Sequence, residues 1–189
     1  SIGAITAGSA ADLSITVPGG IGAITLIECV NSDQTEDTIT AAWIGKITTK
    51  GVRANLARGV LGSAGDFQAS LNLSGADSKG VSLGSATIKG EIACVWDIEG
   101  ATGAIKASTT GATWVLDAEG FVKSIDGANG LAGNLSALYF DKISSKGDLS
   151  AVITANGADA RKGASIGAIT AGSAADLSIT VPGGIGAIT

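Results

Sequence analysis

Apolar and polar residues alternate over short stretches of this chain, and the stretches recur. In Asp12-Leu13-Ser14-Ile15-Thr16-Val17 the apolar positions are Leu13, Ile15 and Val17, with Ser14 and Thr16 between them. Leu71 and Leu73 repeat the alternation around Asn72. A period of two in β-branched and aliphatic residues predicts strands with one inward face, each about five residues long. A second pattern, aliphatic-Gly-x-aliphatic-Thr, punctuates the strands. It begins at Ile2, Ile21, Ile166 and Ile185 as IGAIT and at Ile44 as IGKIT. Looser versions begin at Ala64, Leu83, Thr102, Val122 and Phe140.

Successive starts keep a nearly constant spacing, with two longer steps, Ile21 to Ile44 and Phe140 to Ile166. A short repeat of this kind without the L-x-x-L-x-L-x-x-N skeleton excludes a leucine-rich repeat. Two or three short strands joined by Gly-rich corners account for one such turn. The predicted fold is all-β: a parallel β-solenoid, or β-helix, of about nine to ten rungs, with the right-handed coil the more usual sense. Each strand then bonds to its equivalent one rung away, about 4.8 Å along the axis. The fourth position of each rung forms an inward column: Ile5, Ile24, Ile47, Phe67, Ala86, Ile105, Ile125, Ile143, Ile169 and Ile188. Gly at the second position points to a sharp corner or a close approach of backbones.

Segments 1–25 and 165–189 are identical, letter for letter. The reading is one rod over 1–189, with 1–164 as a unit of eight short rungs and 165–189 as the start of the next. Tandem units in the natural protein and deliberate copying of one end onto the other both produce this. Neither copy has the polar, Pro-rich or helical cap that blunts an exposed strand edge. A heterologous contact that does not close gives an open filament, so the expected partner is the chain itself, stacked end to end. The two longest steps place loops over 31–37 and 155–164.

Composition narrows the classes. Hydrophobic residues make up 45% of the chain and aromatics 4%, so aliphatic side chains must fill the interior. With net charge −5 and no basic stripe, no nucleic-acid partner is expected. No uninterrupted apolar run long enough for a membrane span occurs. The chain opens at Ser1 without a signal peptide, as a mature segment or an excised fragment does. Cys29 and Cys94 fall three rungs apart, roughly 14 Å along the axis. Both are therefore expected to be free, buried thiols.

The IGxIT rungs, with Leu13-Ser14 and Leu149-Ser150 downstream, resemble the right-handed β-helix arrays of large secreted or surface-exposed bacterial proteins. Filamentous-haemagglutinin-like and autotransporter-passenger domains are of this kind. The resemblance implies an extracellular or cell-surface stalk, adhesin or fibre, and it carries over no catalytic residue.

Candidate chemistry is sparse. Asp97, Glu99, Asp117 and Glu119 recur one rung apart, forming a ladder of carboxylates that Ca²⁺, nearby cations or plain exposure would relieve. Calcium is the one cofactor considered. An enzyme is not expected. There is no His, small Gly-rich corners supply no apolar pocket to raise a carboxyl pKa, and Lys and Arg are scattered rather than gathered in one groove as in polysaccharide-cleaving β-helix enzymes. Trp43, Trp96 and Trp114 can stack on sugar rings if they face outward, as a surface glycan-binding module would use them, or can fill the core. The residues after the core column read Thr6, Thr25, Thr48, Gln68, Thr87, Lys106, Asp126, Ser144, Thr170 and Thr189, too interrupted for a regular ice-binding lattice. The expected function is structural: a fibre, stalk or sheath.

Overall fold

The computed structural model describes residues 1–33 and 35–189; Gln34, in the first expected loop, lies outside them. The chain is a parallel β-solenoid of about nine turns, with three strand positions per turn. The first coil sets the plan. Strand Ile2–Thr6 forms the first face, Ser9–Ala11 the second and Ile15–Thr16 the third. Later coils repeat it until corners straighten and one strand, Phe140–Ala155, runs through all three positions.

The first face records the coils most completely. Ile2 pairs with Ile21, Ile21 with Ile44, Ile44 with Leu83, Leu83 with Thr102, and Thr102 with Val122. Val122 then pairs with Phe140, Phe140 with Ile166, and Ile166 with Ile185. The third face is equally regular: Ile15, Ile39, Leu71, Trp96, Leu116, Leu135, Ile153 and Ile179 are successive partners. Inward side chains of successive coils thus stack on one another, and most of these are fully buried. A single coil has no core of its own; each buries its apolar face only against its neighbours.

This register corrects the sequence reading at one place. Phe67 does not belong to the Ile column: Ile47 pairs directly with Ala86. Phe67 sits on the second face, bridged to Cys29 below and Ile92 above. The third coil therefore runs from Ile44 all the way to Leu83, close to twice the usual length. The excess is an antiparallel hairpin in which Val52 pairs with Ser63 and Asn55 with Val60, turning through Leu56–Arg58 and a left-handed Gly59 (φ 67°). The segment Ala64-Gly65-Asp66-Phe67 imitates a rung start because the insertion is close to one rung long. The unit 1–164 consequently contains seven coils, counted from Ile2 to Ile166, rather than eight. Cys29 and Cys94 are two coils apart, not three, and both are free thiols, the first buried and the second half-buried.

Gly stands at the second position of most rungs, Lys123 and Asp141 being the exceptions, and it has a steric cause. A Cβ on Gly22, Gly84 or Gly103 would fall closer to the carbonyl oxygen of Gly3, Gly45 or Gly84, one coil below, than real Cβ atoms come. None of these has a positive φ, so the requirement is close approach between coils rather than a left-handed turn. Gly103→Ala is expected to destabilise the rod by about 1–3 kcal/mol. Gly8→Ala, whose Cβ meets nothing within 4 Å, should change stability by less than about 0.5 kcal/mol. Denaturant melts of the two variants check the contrast.

Candidate functional site

The tryptophans do not offer a sugar platform. Trp96 and Trp114 are fully buried, displaced by two positions in adjacent strands, since Trp96 pairs with Leu116. Their rings meet edge to face at 5.7 Å, and Trp96 meets Phe67 in the same way at 5.9 Å. The aromatic file fills the interior where Phe67 enters from the second face. Neither indole N–H has a hydrogen-bond partner among the described residues. Trp43 is half-buried; a Cβ on Gly20 would collide with its ring, so it closes a corner against the coil below.

Asp97 and Asp117 are direct register partners, and all four carboxylates of the ladder are exposed. Asn72 lies below Asp97 and Ser136 above Asp117, so the like-charge contact is confined to one step of the column. Among the described residues no cluster of three or more His, Cys, Asp or Glu side chains could hold a metal ion.

The outward column of the first face is more regular than its sequence suggests. With Gln68 removed along with Phe67, Thr6, Thr25, Thr48 and Thr87 are consecutive partners. Lys106, Asp126, Ser144 and Thr170 continue it.

Both expected loops are tied to the rod. In the first, the Ser32 N–H and hydroxyl both donate to the Asp12 carboxylate (2.7 and 2.6 Å), which holds Asp12 below its ordinary pKa. Ser70 donates to Glu36 (2.6 Å). Asp37 is buried at the loop's end, and desolvation, reinforced by Asp12, pushes its carboxyl up. Burial, with Asp37 adding to it, pushes the nearby Cys29 thiol up to about 11. Reactivity follows the thiolate, so Cys29 is inert at neutral pH.

The second loop builds a groove. After strand Phe140–Ala155 the chain turns at 156–163 around Asp159, whose carboxylate accepts from the Arg161 N–H (2.8 Å) and whose carbonyl accepts from the Gly163 N–H (2.7 Å). Lys162 reaches back to Asp141 at 3.0 Å, and that hydrogen bond raises its pKa. The loop overhangs Phe121 and Tyr139, whose rings stack at 5.4 Å and 12°. The groove between them is about 640 Å³. Partial burial pushes the Tyr139 phenol up, with Asp159 and Asp141 contributing. Sequence reasoning missed this pairing, although Phe121 and Tyr139 each stand just before a rung start, in neighbouring rungs. That equivalence of position was the available signal.

The hairpin at 52–63 was also missed. Its tip exposes Leu56 and Leu61, 78% and 81% accessible.

At the two ends of the rod, the first coil leaves Ile2, Ile5, Ala10, Leu13 and Ile15 only partly buried, and the last leaves Leu177, Ile179, Val181 and Ile185 so. These belong to the identical segments, seen from opposite sides.

No protein family, no curated protein and no solved structure matches this chain.

The ladder yields a direct expectation. Like charges facing each other across strands are destabilising, so Asp97→Asn should stabilise the rod by about 0.2–1 kcal/mol in calcium-free, low-salt buffer. Thermal melts with and without calcium chloride check it. A calcium-dependent rise in the melting temperature that Asp97→Asn removes would instead mark the ladder as a cation site.

Proposed function

We propose that this chain is an architectural protein: a β-solenoid unit that joins with copies of itself, end to end, into a fibre, stalk or sheath. One observation carries the reading. The segment shared by 1–25 and 165–189 is seated by its lower edge on strand Phe140–Ala155 at one end of the rod. At the other end it is seated by its upper edge under strand Ile21–Leu26. Both edges of one segment are thus built to pair, and an unpaired strand edge is a template for another chain. Partly exposed aliphatic side chains at both ends add an apolar driving force.

The role needs no catalytic group and no nucleic-acid partner. A cell-surface or extracellular setting, as in the filamentous-haemagglutinin-like and autotransporter-passenger arrays, suits a rod whose stability comes from stacking without disulfides.

A surface adhesin is the second reading. What favours it is the groove beside Tyr139 and Phe121, where an aromatic pair and Asp141 meet Asp159, Arg161 and Lys162 of the loop. That combination is suited to a glycan, with ring stacking and polar contacts supplied together.

Electron microscopy and light scattering of the purified chain over rising concentration test the first reading. Unbranched filaments with an axial spacing of about 4.8 Å are expected. Discrete rods that remain monomeric would overturn it. Tyr139→Ala separates the two readings: it should leave filaments intact, and it should abolish retention on a glycan surface if the groove is the functional site.

A further inference from the structure

We propose that copies of this chain join by segment exchange. Residues 1–25 of one copy take the place that residues 165–189 hold in another, on strand Phe140–Ala155. The proposal rests on the end-to-end reading above and specifies its joint.

The seat is already visible with its occupant. Phe140 pairs with Ile166, Ile143 with Ile169, Ser144 with Thr170, Asp148 with Ser173 and Ile153 with Ile179. Ser173 also donates a hydrogen bond to the Asp148 carboxylate. By letter identity, Ile2, Ile5, Thr6, Ser9 and Ile15 of a second copy present the same side chains in the same order. In their own copy those residues pair upward with Ile21, Ile24, Thr25, Glu28 and Ile39, leaving the lower edge unpaired. The two copies of the segment also share a backbone conformation unusual for a residue with a Cβ: Asp12 and Asp176 are both left-handed, at φ 56° and 51°. Superposing the two environments therefore needs no new contact. The segment's lower edge is used as at one end of the rod, and its upper edge as at the other.

Simple abutment fits less well. Strand Gly184–Ile188 adds a ninth level to the first face. On the second and third faces the topmost strands are those containing Ser173–Ala174 and Ser178–Thr180. A second copy resting on Gly184–Ile188 would leave one strand spacing unfilled on two of three faces. Exchange leaves none.

The exchange is also balanced in its contacts. One occupant of the seat replaces an identical one. The incoming coil, half-buried at Ile2, Ile5, Leu13 and Ile15, becomes covered on both sides. The outgoing segment gives up its pairing with strand Phe140–Ala155, which the incoming coil takes over, and its own pairing between Ile166–Ile169 and Ile185–Ile188, and it regains its conformational freedom. Release of 165–189 must precede or accompany joining, so assembly should be slow and continue from existing ends.

Gly3 isolates the joint. A Cβ there meets nothing within 4 Å in a single copy, whereas one on its counterpart Gly167 collides with the Asp141 carbonyl. Gly3→Ala therefore leaves the free rod intact and places a methyl group against Asp141 of the next copy.

The test uses the full-length chain with Thr6→Cys and Ser144→Cys together, under oxidation or with a short bismaleimide, on a non-reducing gel. The expected result is a ladder of covalent oligomers, absent from wild type and from either single variant. Adding Gly3→Ala should abolish the ladder without changing the melting temperature of the monomer. The control pair Thr170→Cys and Ser144→Cys should close within one chain. Internal closure of that control with no ladder from the first pair overturns exchange. If filaments still form in that case, the end-to-end reading stands and only the joint is wrong; if none form, both fail.

Discussion

Everything in this rod depends on hydrogen bonding between coils. Parallel pairing draws each backbone to within about 4.8 Å of the next, and every other feature is a response to that closeness. Side chains on one inward position must stack on their equivalents, which is why aliphatic residues recur in columns such as Ile5, Ile24 and Ile47. Where carbonyls of one coil press on the next, Gly is required, as at Gly22, Gly84 and Gly103. Each coil is completed only by its neighbours, and the apolar side chains of the first and last coils are less buried than those between them.

The architecture was legible because its constraint acts on every coil and so writes itself repeatedly. Period-two alternation marked the strands, and the recurring Ile-Gly-x-Ile-Thr marked the coils. Phe67 was misplaced for a reason that follows from the same logic. An insertion of nearly one coil's length preserves the apparent period while contributing no coil, and Ala64-Gly65-Asp66-Phe67 has the right classes of residue at the right distance. Only the register, with Ile47 directly on Ala86, separates a coil from an insertion. The sole warnings in the segment were the missing Thr after Phe67 and the Arg53 and Arg58 just before it.

Candidate sites were less legible, because they depend on side chains brought together at one corner rather than repeated along the rod. Tryptophans could face either way on a strand; the parity that buries Trp96 and Trp114 is set by the neighbours they stack on. The acidic residues stand one coil apart, with Asp97 on Asp117, and all four are exposed. Phe121 and Tyr139 stack only because the corners of two successive coils align, and the groove beside them also needs the turn that Asp159 organises. The letter identity of 1–25 and 165–189 is different in kind. The sequence states it outright, and the structure pairs the segment by its upper edge at one end of the rod and by its lower edge at the other.

The central claim is that units share one coil at each joint, so that a unit advances the rod by the seven coils between Ile2 and Ile166. The axial translation per subunit, measured by helical reconstruction of filaments from cryo-electron micrographs, tests it most directly. Seven strand spacings predict about 34 Å per subunit. An advance of about 43 Å, the nine levels of the first face, would mean that copies abut without exchange, and no axial order near about 4.8 Å would contradict coil stacking between units altogether.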